Sequence, residues 1–574
     1  LLGEDQLLDH LDEAAAAQLL YPQSGESFSF SHDKIREVLY EELNPIRRKR
    51  LHQRVGEALE KFYAAEIGVH APELAHHFTE SGDLSRGLHY SLQAAENTRR
   101  LFALEEALHY YDYARESAEI LDQPGQLEQI YYSMGEIYSL RGMVSQAVEY
   151  YSQAIECTAD PERRGAIKAK IGSVYAAVGD PRGKDFIDEA LKELNPETQT
   201  NEIALATAML GRYYHYLAIH SKAIEYEERA RALAEPLDDP ATLVLIYAYL
   251  SGAYQHLTRY KESIAWANKN IALGRRKNYP IAEATGYEFI AEDSIAVGDW
   301  QTALSSAARD LEIGEKIGAQ DRIAWAMYCR AVAQHGLGDL AAADRDAQIT
   351  RKLGANIGDK RVEILAGCIG VEVKADLCKE DEASLLAGQI REQADQMKHV
   401  FIQALVGYSI AYWHVNREDY QLALNSLTQA ETLIIPTENL WMPMRYRPLL
   451  AEVHIEMGNV EEAERVALDA LKISRAAGSG HCEAQALRAQ ARVFAAAQRW
   501  EDALNIINRS MTIFSELGSK LEWARSLSQR GQFWQEQGQA SSAREDWNQT
   551  LELFQKIGAA GAVRKTKKFL GVPA

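Results

Sequence analysis

The chain has 574 residues, 47% hydrophobic and 25% charged, with a net charge of −21. That acidic balance disfavours a general nucleic-acid or anionic-membrane binder, since both need basic surface. Apolar runs are short, such as ATLVLIYAYL at 241–250, so neither a transmembrane span nor a secretory signal is expected.

The chain opens Leu-Leu-Gly without an initiator Met, which points to a piece of something longer. Over 28–60, two alternating aromatics (Phe28, Phe30) lead into a helix that opens near Ser31 with Asp33 in its first turn. Its apolar stripe is Ile35, Val38, Leu39 and Leu43, and Asn44-Pro45 ends it. A second helix follows with Leu51, Val55 and Leu59 expected inward. Next come Ala71-Pro72-Glu73-Leu74-Ala75-His76-His77-Phe78, then Gly82-Asp83 and Ala94-Ala95. His76-His77 is the best metal candidate by eye. Neighbours on a helix point about 100° apart, so the pair is not expected to share an ion.

From about residue 100 onward the sequence keeps a forty-residue beat. Stepping by forty from Ala223 gives Ser263, Ala303, Ala343, Ala383, Ala423, Ala463, Ala503 and Ala543, and stepping back gives Lys184 in a slipped unit, then Ala147 and Ala107. Five residues before the small residue stands Gly142, Gly179, Gly298, Gly338, Gly458 or Gly538; fifteen after it stands Gly318, Gly358, Gly478, Gly518 or Gly558. Between the two glycines lie apolar-periodic segments such as RWEDALNIINRSMTIFSEL at 499–517. Each unit therefore reads as helix A, a tight turn, helix B and a second turn. A further small position twelve earlier (Gly135, Gly211, Ser251, Ala291, Ala331, Ala451, Gly531) lets the two helices pack closely. The stretch PTENLWMPMRYRP at 436–448 departs from the beat, with Trp441 and Met442 expected exposed in a turn or partner-contact loop.

Gly135/Tyr138/Gly142/Ala147/Ala154, Gly211/Tyr214/Ala223/Ala230 and Gly531/Trp534/Gly538/Ala543 resemble the tetratricopeptide repeat (TPR) consensus, at a period of 40 instead of the usual 34 or so. The resemblance implies an all-α, TPR-like right-handed superhelix. The pattern Phe28-x-Phe30-x-His32-Asp33-x-Ile35-Arg36-Glu37-x-x-Tyr40, then Arg47/Arg48 and Leu51-His52, resembles the junction after the winged helix in signal-transduction ATPases with numerous domains (STAND regulators). This implies a partial winged-helix segment at 1–62, transitional hairpins at 63–125 and a repeat array at 126–574 with a C-terminal capping helix. The resemblance also implies a P-loop ATPase module upstream in the same polypeptide; this chain itself contains no GxxxxGK[ST].

No HExxH, GxSxG, kinase set or Cys/His zinc spacing is present, so no enzyme activity, cofactor or metal is expected of this chain. The five cysteines are scattered without CxxC, which suits reduced thiols and a cytoplasmic location. The TPR resemblance points to helix-A places lining a concave face. These include Arg212, His215, Trp325, Tyr328, Tyr408, Tyr412, Arg445, Arg488, Arg492 and Arg525. Arginines with aromatics suit a protein, peptide or small acidic effector; pairing with acidic residues of neighbouring units is the competing reading. The functional expectation is an effector-sensing, autoregulatory array of a STAND regulator, the alternative a free-standing TPR adaptor.

Overall fold

The computed structural model describes residues 4–23, 27–101, 103–177, 180, 182–194 and 200–572, so Gly179 lies outside the described residues. The chain divides into two compact units, Leu1–Arg99 with Glu105–Ile130, and Arg100–Leu104 with Tyr131–Ala574.

The first unit contains α1 (Glu4–Ala16), β1 (Leu20–Pro22), β2 (Phe28–Phe30), α2 (Asp33–Glu41), α3 (Pro45–Phe62), α4 (Ala71–Ser81), α5 (Leu84–Arg100) and α6 (Leu104–Ile120). The two strands pair antiparallel, Leu20 opposite Phe30. Asn44 starts α3 by accepting the Ile46 N–H at 2.9 Å, with Pro45 in the first turn, where its missing N–H costs nothing. The expected apolar stripes are only partly buried. Val38, Leu39, Leu51 and Val55 stand exposed, and α3 instead buries His52 and Gly56. The reason is steric: the Phe78 ring of α4 lies 2.9 Å from where a Gly56 Cβ would be, so α3 turns its smallest residue to α4.

The second unit is built from helices of near-constant length. After α7 (Pro124–Leu140), whose residues from Tyr131 on belong to this unit, come α8 (Val144–Cys157), α9 (Pro161–Ala177), α10 (Arg182–Glu193), α11 (Asn201–Tyr216), α12 (His220–Ala234), α13 (Pro240–His256) and α14 (Tyr260–Lys277). Then follow α15 (Pro280–Val297), α16 (Trp300–Ile317), α17 (Gln320–Leu337), α18 (Leu340–Ile357), α19 (Lys360–Asp376), α20 (Glu380–Met397), α21 (Val400–Asn416) and α22 (Tyr420–Ile434). The last are α23 (Trp441–Glu456), α24 (Val460–Ala477), α25 (Gly480–Ala496), α26 (Trp500–Glu516), α27 (Lys520–Glu536), α28 (Ala540–Ile557) and α29 (Ala560–Leu570).

The expected all-α hairpin architecture is present. Ala147, Ala223, Ser263, Ala303, Ala343, Ala383, Ala423, Ala463, Ala503 and Ala543 are each the fourth residue of their helix B, and each is buried. In the slipped unit the small role falls one residue earlier, on Gly183, whose absent Cβ would meet the Gly172 carbonyl at 2.7 Å. The helix-A small position faces the residue sixteen further on. Where it is glycine that partner is large: Tyr151 under Gly135 and Trp547 under Gly531. Where it is Ala or Ser the residue at that offset is Ala in Ala291/Ala307, Ala331/Ala347, Ala451/Ala467 and Ser251/Ala267, but Leu427 for Ala411 and Ile507 for Ala491. The aromatic partners thus fall where the facing residue is glycine.

Left-handed backbone recurs every twenty residues at the helix ends, on Gly298, Gly318, Gly338 and Gly358 but equally on Thr258, Asn278, Cys378, Lys398, Glu418 and Gln498. Glu438 breaks the series. There the expected exposed loop is corrected: α23 starts at Trp441, Met442 is buried, Trp441 is half-buried, and Pro448 sits inside the helix. The reason is that residues 437–440 grip an earlier hairpin. The Glu438 N–H donates to the Ala218 carbonyl at 2.9 Å and its carboxylate accepts from Ser221 N and Oγ at 2.6 and 2.7 Å. Leu440 N donates to the His256 carbonyl at 2.8 Å, and the Asn439 amide meets His256 Nδ1 at 2.9 Å.

That grip is one of a set. Helix α15 touches α25, α17 touches α27, and α19 touches α29, so the array returns against itself after ten helices. Ser479 Oγ donates to the Ala296 carbonyl at 2.7 Å and Trp300 Nε1 to Ser519 Oγ at 2.8 Å across this seam, all buried.

Candidate functional site

The winding turns successive A helices toward a shared interior. A cavity of about 190 Å³ lies among α21, α23, α25, α27 and α29, lined by Tyr408, Tyr412, Tyr420, Arg445, Arg488, Arg492, Arg525 and Lys565 with Glu452, Glu456 and Glu522. Five cations therefore face three carboxylates at its wall. Uncharged polar groups (Gln485, Ser528, Gln529, Gln532, Asn416) and apolar surface from Pro448, Leu449 and Phe554 complete it. A smaller cavity of about 70 Å³ shares Tyr408, Tyr412, Arg445, Gln485 and Glu522 and reaches back to Trp300 and His335 across the seam.

Each arginine has an acidic partner. Arg488 Nε donates to Glu452 at 2.8 Å and its Nη1 to Glu522 at 2.6 Å; Arg492 reaches Glu456 at 2.5 Å. Arg445 bonds Glu372 at 3.2 Å, and its guanidinium lies 4.9 Å from the Tyr408 ring centre. Arg525 bonds Asp376, donates to Tyr412 Oη at 2.6 Å, and meets Glu522 at 2.5 Å. Tyr412 Oη in turn donates to Asp376 at 3.0 Å, and His335 Nε2 meets the same carboxylate at 2.8 Å. Burial works against ionising Glu522, yet Arg488 and Arg525 hold its carboxyl well below the usual carboxylate range. Further along the interior, burial and the neighbouring Glu288 push Glu292 up to about 7, while Glu288 itself pairs with Arg322.

Of the candidates read from the sequence, Tyr408, Tyr412, Arg445, Arg488, Arg492 and Arg525 come together at the larger cavity. Trp325 and Tyr328 do not: Trp325 is buried under the Arg361 guanidinium at 4.4 Å, with Tyr328 beside it at 5.9 Å between ring centres. Arg212 donates to Tyr249 Oη at 3.1 Å and to Tyr216 and does not line the cavity. His215 joins His220, His256 and His399 at the seam, with ring centres of His215, His220 and His256 5.0–5.2 Å apart. Pairing with acidic residues of neighbouring units, the competing reading of the sequence, is seen for Arg488 and Arg492, whose partners Glu452 and Glu456 lie 36 residues away, whereas Glu372 and Asp376 lie 73 and 149 residues from Arg445 and Arg525. A near-forty offset signals the first two; nothing periodic signals the others. Lys565 lines the cavity as well, from a helix outside the repeat positions that the sequence singles out.

Residues 445–516 match the tetratricopeptide repeat family model, a segment that contains eight of the cavity residues. Among solved structures, a Rap protein complexed with competence and sporulation factor is 14% identical over 69% of this chain and 98% of its own, at a TM-score of 0.43. The Cut9–Hcn1 hetero-tetramer of the APC/C is 13% identical over 85% of this chain and 91% of that one, at 0.44. A STAND protein with a tetratricopeptide repeat sensor from Pyrococcus horikoshii is 15% identical over 74% of this chain and 58% of that one, at 0.37. None of them lends a residue role to this chain. A comparison with curated proteins gives no match. No helix among the described residues is long and apolar enough to cross a membrane.

Proposed function

We propose that this chain is a non-catalytic sensing array whose interior cavity receives an acidic group of a protein, peptide or small effector. The observation that carries the reading is the convergence of Arg445, Arg488, Arg492, Arg525 and Lys565 on one polar-walled space with tyrosines beside them. An incoming carboxylate or phosphate would exchange with Glu456, whose partly exposed side chain can turn to water, for the Arg492 guanidinium, so binding need not leave an unpaired buried charge. Because Arg525 and Tyr412 sit on helices that meet across successive turns of the array, such an exchange biases how tightly the turns close. Coupled to an upstream ATPase module, that bias is a mechanism for autoregulation. The α1–β1–β2–α2 order, a helix followed by a two-stranded hairpin, supports the regulator reading over a free-standing adaptor, because it suits the end of a winged-helix domain.

The cavity assignment is tested by calorimetric titration of the full chain with short Asp/Glu-rich peptides and with dicarboxylates. Arg492→Ala combined with Lys565→Ala removes two cations at partly accessible positions, and affinity should fall at least tenfold, or about 1.4 kcal/mol, with the melting profile retained. Unchanged affinity in a folded double variant overturns the assignment. Reading the gene upstream of Leu1 tests the regulator context: a P-loop module supports it, and an initiator codon directly before Leu1 excludes it.

A further inference from the structure

The first unit holds a side-chain cluster that the sensing function does not use. His52 of α3 enters the angle between His76 and His77 of α4, and the three ring centres lie 5.1–5.4 Å apart. Each ring offers a nitrogen within 4.8 Å of the others, and His52 Nδ1 stands 2.9 Å from His77 Nδ1. The adjacent histidines alone diverge; a third imidazole from the facing helix gives them a common point.

The surroundings fix the rings as a ligand set requires. His52 is buried, and its Nε2 meets Tyr40 Oη at 2.9 Å. With Nε2–H donating to the phenol oxygen, the Nδ1 lone pair of His52 is left facing His77. A hydrogen-bonded outer nitrogen that sets tautomer and ring angle is the usual support of a metal-bound histidine. The Phe78 ring seated on Gly56 fixes the α3–α4 spacing. His76 is exposed and His77 half-buried, so an ion has a way in and a coordination position left open to water. Three neutral nitrogens with no carboxylate among them suit zinc, cobalt, nickel or copper and not calcium or magnesium.

We propose that His52, His76 and His77 form a three-imidazole site for a borderline divalent transition metal, clamping α3 to α4. The site sits in a different unit from the interior cavity, so it stands or falls separately from the sensing function.

The test uses the full chain, stripped with chelator and titrated with Co²⁺ as a spectroscopic probe and with Zn²⁺ by calorimetry. The expected result is one tight equivalent with the visible bands of nitrogen-ligated tetrahedral or five-coordinate cobalt. His76→Ala, at an exposed position that leaves α3–α4 packing intact, should weaken Zn²⁺ binding by about tenfold or more, and His77→Ala likewise. Tyr40→Phe should weaken it less while leaving the stoichiometry at one. Sulfur-to-cobalt charge-transfer bands, or Zn²⁺ affinity unmoved in the folded His76→Ala and His77→Ala chains, would overturn the proposal.

Discussion

Trp300 and Ser519 lie 219 residues apart, yet the indole N–H of one donates to the hydroxyl of the other at 2.8 Å inside the protein. The bond joins the start of α16 to the start of α27 across the seam, and both residues are buried. Trp300→Phe keeps the apolar bulk and leaves the Ser519 hydroxyl without this donor, at a cost of about 1–3 kcal/mol. Hydrogen exchange is the suitable readout, since long arrays do not unfold as one unit. Amides near 296–300 and 519–523 should lose protection together, while those of α8 keep theirs. Loss of protection confined to one side would count against a seam.

The Glu438 carboxylate caps α12 from 217 residues away. Glu438→Ala removes both bonds to Ser221 and should cost about 0.5–2 kcal/mol, the range for a lost helix N-cap. Exchange at Ser221 and its neighbours in the first turn of α12 should accelerate. An unaltered rate there would show that the contact contributes nothing.

Acid should loosen the seam. Burial lowers His220 and His399 to about 4, with the Arg361 charge adding to the effect on His399 and Glu438 opposing it on His220. His215 and His256 lie well below 6.5 through burial and through their neighbouring histidines. Both ring nitrogens of His220 lack a hydrogen-bond partner among the described residues. Unfolded histidine takes its proton near pH 6.5, and the folded cluster resists until about 4, so the unfolded state binds more protons between these values. Stability contributed by the neutral cluster is complete above pH 6.5 and is lost as pH falls toward 4. Near-UV circular dichroism and melting should both decline over that window. His220→Gln should flatten the decline, and a profile with the opposite slope would refute the assignment.

Two glycines should respond in opposite senses to alanine. A Cβ on Gly531 would meet the Trp547 indole at 2.6–3.1 Å, so Gly531→Ala should destabilise its hairpin by about 1–3 kcal/mol. Gly388 lies exposed inside α20 with nothing within 4 Å of a new Cβ. Gly388→Ala should stabilise by about 0.5–1 kcal/mol through helix propensity. Urea unfolding of both variants checks the signs.

The hairpins were legible because neighbour packing imposes itself on every unit: a helix B cannot close on helix A unless its fourth residue is small, so Ala303 and Ala463 repeat the same solution. The glycines were a partial signal. Cys378 and Gln498 hold the same left-handed backbone as Gly338 and Gly458, because the bonds around the turn, such as Lys379 N to Lys374 O at 2.9 Å, enforce it on any side chain. Contacts one revolution apart left no trace, since Trp300/Ser519 and Glu438/Ser221 each occur once. For the same reason the pairings of Arg445 with Glu372 and Arg525 with Asp376 carry no signal in the sequence. In the first unit, helical period marked Leu51 and Val55 as inward, but Phe78 fits only over Gly56, and that choice rotates α3 so that His52 reaches His76 and His77.

A repeat protein is ordinarily free to lengthen or shorten by whole modules, since each one answers only to its neighbours. Here the winding closes on itself after ten helices, and this removes that freedom. Inserting or deleting one hairpin between α15 and α25 would preserve every local packing rule and still carry Ser479 and Ser519 out of reach of Ala296 and Trp300. Module number between the two layers is thus set like the tooth count of meshed gears, and natural variants of this chain should differ in side chains along the coil far more readily than in how many hairpins it contains.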